Sequence, residues 1–279
     1  MKKTVFMLIS LTAAFLRANV TVVKNIAYYP PSSLEQAGTY QKERCKLDLR
    51  YPKNTANFST LVFFHGGGLE SGNKHFLKID PSIAQATVNY RFLQKDRSVT
   101  GDTCIEDAAA AIAWTLKNIA SYGGDPQKVF VGGVSAGGYL TMMACMDPSR
   151  LAKWGYSSKD LAGLIPISGQ ATKHFNVRKY AGDTDEMYLP KIDRLAPLNF
   201  CSAHLPPILS VCGQSPWEWK ARNEENRLLI ASCTAMGHPA AYFVEMPFCD
   251  HARVGSASRP YVEFFIKNRM PPHLIMPTR

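Results

Sequence analysis

The chain has 279 residues, of which 46% are hydrophobic and 19% charged, with 19 Gly and 18 Pro. That balance excludes a disordered, collagen-like or coiled-coil protein and suffices to bury a sizeable core in one domain. Net charge is +10, but the densest basic stretch, Lys173–Lys179 (KHFNVRK), holds only four Lys, Arg or His; it reads as a solvated basic surface and not as a nucleic-acid site.

In chain order, Lys2 and Lys3 precede an uncharged apolar run, Thr4–Leu16, with small residues at Ala13, Ala14 and Ala18. A basic start and a run too short to span a bilayer predict a secretory signal over 1–18, cleaved after Ala14 or Ala18. The remaining 19–279 are then expected to form a single exported domain, periplasmic or secreted, with no membrane contact after cleavage. The first cysteine, Cys45, lies too far downstream for a lipid anchor. The seven cysteines form no CxxC pair and no zinc-finger spacing. Several, such as Cys145 in MMACM and Cys212 in ILSVCG, read as small buried hydrophobes. One or two disulfides would suit an oxidising compartment, without a pairing that the sequence fixes.

Val20–Ile26 and Cys45–Tyr51 read as early strands. Thr60–Phe64 (TLVFF) is a continuous apolar run that stops at glycines, as a buried strand does. Ala84–Tyr90 is the next strand. Asp102–Ser121 predicts a long helix with the alanine block 108–114 on its buried face, ended by Gly123, Gly124, Asp125 and Pro126. Lys128–Val134 reads as a strand and Ala136–Met146 as a helix. Leu161–Ile167, Ile208–Cys212 and Ala241–Met246 are further strands, and Asn223–Met236 and Pro260–Asn268 helices. Strands alternating with helices predict an α/β fold: a mostly parallel sheet with helices on both faces.

Two glycine motifs carry chemistry. Gly133-Val134-Ser135-Ala136-Gly137 matches G-x-S-x-G between a predicted strand and a predicted helix, the context in which a sharp turn exposes a nucleophilic serine. Gly132 and Gly138 add room around that turn. Ser135 would sit at a helix N-terminus, whose dipole favours developing negative charge. His65-Gly66-Gly67-Gly68 follows the TLVFF strand directly. The N–H groups of Gly67 and Gly68, with that of Ala136, would form an oxyanion hole. A glycine-rich nucleotide loop is the competing reading, but no helix-opening G-x-G-x-x-G or P-loop Lys accompanies it. His65 precedes the nucleophile and reads as a loop brace.

With these motifs in view the sequence resembles the α/β-hydrolase superfamily, in its HGGG-bearing carboxylesterase and lipase branch. HGGG at 65–68, YGGDPQKVFVGGVSAGG at 122–138, VNYRF (88–92), CIEDAAAAIAW (104–114), LIPISGQ (164–170), RNEEN (222–226) and a late histidine carry the resemblance. They look like exported bacterial polysaccharide esterases. The superfamily's chain order, Ser then acid then His, implies His251 in FCDHARV as general base. His75, His174 and His204 come too early, His238 precedes the last strand, and His273 lies in the tail. Imidazole titrates near neutral pH, which suits the exchange of the Ser135 proton.

The acid departs from the branch's pattern. A carboxylate is expected about three residues past Gly213, yet position 216 is Pro. Glu218, two residues on, is the expected acid. Glu224 and Glu225 are the alternatives and otherwise read as first-turn helix residues; Asp250 reads as a loop brace. Trp217, Trp219, Tyr139, Phe175 and Tyr180 are candidates to line an acyl or sugar site, with packing as the alternative for each.

The expectation is a serine esterase acting through an acyl-Ser135 intermediate on short or plant-polysaccharide acyl esters. No cofactor, metal or nucleic acid is implied, and no oligomeric state is readable. The alternatives are a formamidase or peptidase with the same three residues, or an inactive binding protein on this fold.

Overall fold

The structure, a computed structural model, describes residues 19–268; the expected signal segment and the tail with His273 lie outside them. In chain order the strands are β1 (Val20–Ala27), β2 (Lys46–Pro52), β3 (Phe58–Phe64), β4 (Ala84–Val88), β5 (Gly124–Val134), β6 (Gly163–Ile167), β7 (Ile208–Gly213) and β8 (Ala241–Met246). They form one sheet in the order β1-β2-β4-β3-β5-β6-β7-β8. β1 and β2 pair antiparallel with their neighbours, and every pairing from β4 to β8 is parallel.

The helices are α1 (Pro31–Glu35), α2 (Thr39–Arg44), α3 (Gly101–Asn118), α4 (Ala136–Met146), α5 (Pro148–Ala152), α6 (Phe175–Tyr180), α7 (Arg222–Ala235), α8 (Val254–Ala257) and α9 (Arg259–Ile266). Side-chain alternation along the central strands divides the core in two. Val62 and Phe64 of β3 pack with residues of α3, α4 and α7. Leu61 and Phe63 face the other way, with Leu77, Ile79 and Ile83 and with Val262, Phe265 and Ile266 of α9. Ala108–Ala111 of α3 are wholly buried, and their small side chains let the helix lie close to its neighbours. The Thr100 side chain caps this helix by accepting the Thr103 N–H.

Several boundaries differ from the sequence expectations. β4 ends at Val88; the Asn89 N–H still bonds Lys46 O at the start of β2, and beyond it the Tyr90 hydroxyl donates to His65 O. α3 stops at Asn118; its last turn tightens into a 3₁₀ turn, Ile119–Tyr122, closed by Gly123 at φ 92°. β6 begins at Gly163, since Leu161 N–H closes the 3₁₀ turn over Ser158–Asp160. The short helices α1, α2, α5, α6 and α8 have too few turns to leave a readable periodicity. The parallel strands β3, β5, β6, β7 and β8 all end on one edge of the sheet, where α/β folds gather their ligands.

Candidate active site

The loop after β5 reverses the chain at Ser135, whose φ of 56° and ψ of −118° are unusual for a residue with a side chain. Glycine is required around it. A Cβ on Gly137 would stand 2.1 Å from Phe64 O, and one on Gly133 2.4 Å from the Gly137 carbonyl group. This close approach lets α4 start directly beneath β3 and leaves Ser135 Oγ pointing at the loop after β8. There His251 Nε2 lies 2.9 Å from Ser135 Oγ, and His251 Nδ1 lies 2.5 Å from Glu218 Oε1.

Glu218 reaches this position although its loop is two residues longer than the resemblance implies. The N–H groups of Trp217 and Glu218 both bond Gln214 O, folding the loop back on itself. The Glu218 side chain is 1% exposed, and its four acceptor positions are filled. Oε1 receives His251 Nδ1 and the Trp219 N–H; Oε2 receives the Gly213 N–H and the Ser168 hydroxyl. Burial opposes ionisation, but the hydrogen bonds from His251 and Ser168 outweigh it and hold the carboxyl at about 2. An ionised Glu218 only accepts. Nδ1 of His251 must therefore carry the proton, which leaves Nε2 to accept from the Ser135 hydroxyl.

Ser168 was not singled out by the sequence. It directly follows β6 with φ 50°, and its Oγ lies 2.5 Å from Glu218 Oε2 and 3.1 Å from His251 Nδ1. A serine at the carboxyl end of a fully buried parallel strand is the signal that would have found it.

Three N–H groups, those of Gly67, Gly68 and Ala136, are left without an acceptor among the described residues. The Gly66 carbonyl is held by His65 Nδ1 at 2.7 Å and by the Tyr90 hydroxyl at 3.4 Å. The Gly67 carbonyl receives the N–H groups of Glu70 and Ser71. In a planar trans peptide the following N–H points the opposite way, so these bonds aim Gly67 and Gly68 N–H away from the loop. The Ala136 N–H stands free at the N-terminus of α4.

His65 is a brace, as expected, and its partners explain how. It is 2% exposed, stacks on Tyr90 with ring centroids 4.5 Å apart, and receives Arg44 Nη2 on Nε2 at 3.2 Å. Burial, aided by the Arg44 charge, lowers its pKa to about 4. It is neutral, with the proton on Nδ1. Arg44 comes from α2, one of the helices the sequence left unread.

The stretch 173–179 corrects its reading as a solvated basic surface. His174, Asn176 and Arg178 are buried, because α6 packs behind the glycine loop. Asn176 Nδ2 donates to Gly68 O at 2.7 Å and to Glu70 Oε2 at 2.9 Å. Lys173 pairs with Asp193, Arg178 with Asp183, and Lys179 with Glu70. Arg178 also holds the following loop by donating to the carbonyls of Glu186, Met187 and Leu189.

The other expectations divide. Glu225 bonds the N–H groups of Ala171 and Thr172 and so fixes the loop after β6, while Glu224 is exposed. Asp250 accepts Arg253 N–H, as a loop brace does. Tyr139 is fully buried with its hydroxyl on Leu195 O, so it is a packing residue and not a binding one. Phe175 is sandwiched between His174 and Trp219, whose ring centroids lie 4.5 and 5.2 Å away, and Trp219 is 5.6 Å from His251. Trp217 is 54% exposed and lies beside Phe248. Tyr180 lines a separate cleft with Leu93, Val177 and Arg194.

Comparison with known proteins agrees with this architecture. The carboxylesterase family matches residues 23–202, a span that holds both glycine motifs but neither Glu218 nor His251. Gut esterase 1 of Caenorhabditis elegans is 31% identical over 152 residues, 49% of this chain and 27% of that protein. The chain spans about a third or less of the length of the curated relatives it matches. Among solved structures, a truncated carbohydrate esterase from gut microbiota superposes with a TM-score of 0.68 at 17% identity, covering 91% of this chain and 98% of that one. A butyrate-bound esterase of Thermogutta terrifontis gives 0.62 at 20% identity, covering 84% and 92%. With both glycine motifs inside the matched span and this sheet order around them, the chain belongs to the carboxylesterase family and has the α/β-hydrolase fold.

Proposed function

We propose that this protein is a serine hydrolase of carboxylic esters, with Ser135 as nucleophile, His251 as general base and Glu218 as the acid that orients it. The observation that carries this reading is the unbroken hydrogen-bonded chain Glu218–His251–Ser135. His251 Nε2 takes the Ser135 proton as Oγ attacks the ester carbonyl, and Glu218 stabilises the imidazolium formed. The oxyanion is received by the N–H groups of Gly67, Gly68 and Ala136, each such donor being worth about 100- to 1,000-fold in rate. His251 then protonates the leaving alcohol, and water releases the acyl group from Ser135 by the same steps in reverse.

Short acyl esters, among them those on plant polysaccharides, are the substrates we favour. The bound butyrate of one structural neighbour and the carbohydrate esterase name of another support this, as do the exposed indoles of Trp217 and Trp219, whose flat faces suit sugar rings. Export follows in the same reading from the basic and apolar start at 2–16. The test is a p-nitrophenyl acyl series from acetate to octanoate, beside acetylated xylo-oligosaccharides and acyl anilides. Turnover is expected to be greatest on the short esters, on both aryl and sugar alcohols, and Ser135→Ala should lower kcat by at least about 10⁴-fold. Equal rates for Ser135→Ala and the parent would remove the nucleophile, and preference for anilides would move the protein to the amidases.

A further inference from the structure

Two thiols stand side by side away from the Ser135 cluster. Cys201 follows the 3₁₀ turn Pro197–Phe200 and is partly exposed, whereas Cys233 is buried on α7. Cys201 Sγ donates to Leu229 O at 3.7 Å. In an α-helix that carbonyl is the acceptor for the N–H of residue 233, so the Cys201 sulfur rests on the turn that carries the Cys233 side chain. The two thiols are neighbours. The other five cysteines are buried, and of these Cys104 and Cys249 spend their thiols on the carbonyls of Arg91 and Asp250.

We infer that Cys201 and Cys233 are a disulfide-forming pair, closed when the folded protein meets a small-molecule disulfide such as oxidised glutathione. The partly exposed Cys201 thiolate attacks one glutathione sulfur and expels the other as a thiolate. Cys233, deprotonated, then attacks Cys201 Sγ and expels the second glutathione. The two protein thiols lose two electrons and two protons, and oxidised glutathione gains them as two reduced molecules.

The cross-link closes a loop of about 30 residues, long enough for substantial stabilisation. That loop contains β7, the turn bearing Glu218, and most of α7, so the bond ties together the segment that presents the acid. Its effect is on the lifetime of the fold, since neither sulfur touches Ser135, His251 or Glu218.

The experiment uses the folded chain incubated with oxidised glutathione, alkylated, digested and mapped by mass spectrometry, with thermal unfolding measured in parallel. A linked 201–233 peptide is expected, with two of the seven thiols protected. Tm should rise by about 5–10 °C and fall back under dithiothreitol. Cys201→Ser, which changes only the partly exposed partner, should abolish both gains while leaving ester turnover as in the parent; Cys233→Ala should repeat the result. Finding Cys201 as a stable glutathione adduct, or both cysteines still open to alkylation after denaturation, overturns the pairing, as does a linked peptide that joins other cysteines.

Discussion

The two sides of the Ser135 cluster are built from different materials. On the nucleophile side, position is set by backbone: glycines at 133 and 137 allow contacts that no side chain permits, and peptide planes at 66–68 are pinned by His65, Tyr90 and Asn176. On the acid side, position is set around one side chain, a carboxylate in a longer loop brought home by the Ser168 hydroxyl and by the N–H groups of Gly213 and Trp219. A site made of backbone is bound to one sequence pattern. One centred on a single long side chain tolerates a moved residue, provided the same atoms meet at the end.

The largest expected break in this comparison is on the acid side. Glu218→Gln keeps the shape but removes the charge that fixes the His251 tautomer, and kcat should fall by about 10³-fold or more. Glu224→Gln, on an exposed helix turn, should stay within about threefold of the parent. Steady-state kinetics on one ester compares the two, and an unimpaired Glu218→Gln enzyme would leave Ser135 and His251 acting as a dyad.

The backbone side should break with acid. His65 is held to about 4 in the fold, against about 6.5 in the unfolded chain. Between those values the unfolded state binds the extra proton, so stability falls as pH drops from 6.5 to 4, by about 3 kcal/mol or 100-fold in the folding equilibrium. His174, lowered by burial to about 3, adds to the same limb. Glu218, held at about 2, loses its contribution only between about pH 4.5 and 2, so the loss on the backbone side begins about two pH units earlier. Urea unfolding from pH 7 to 4 should give a flatter curve for His65→Gln than for the parent. Superimposable curves would mean that His65 is not neutral in the fold.

The smallest effect sharpens the comparison within the acid side. Ser168→Ala removes one of the four donors to Glu218, and kcat should drop by about tenfold with KM unchanged. A change in KM alone would assign Ser168 to substrate contact.

The same contrast explains what was legible in the sequence. The sheet, α4 and α7 could be read because alternation and apolar runs leave a long signal. The sharp turn at Ser135 and the loop at Gly67 and Gly68 could be read because backbone chemistry forces glycine into fixed spacings. His251 followed from chain order. Glu218 sat where spacing pointed to Pro216, and only the folded loop brings its carboxylate back to Gly213. Arg44, Tyr90, Ser168 and Asn176 went unread, since each acts across a contact distant in sequence and three lie outside any long periodic element. The 173–179 stretch differs from its reading because composition reports what a residue is, not which way its element turns it.

The stack of Phe175, Trp219 and His251 gives the protein an optical property. An imidazolium quenches the emission of a nearby indole, and Trp219 holds its ring 5.6 Å from His251, the histidine that would become charged in the proposed reaction. Of the four tryptophans in the chain, Trp219 therefore acts as an internal gauge of the charge on His251. Fluorescence in a stopped-flow instrument can follow acylation and release on unlabelled natural esters, where no coloured leaving group is available.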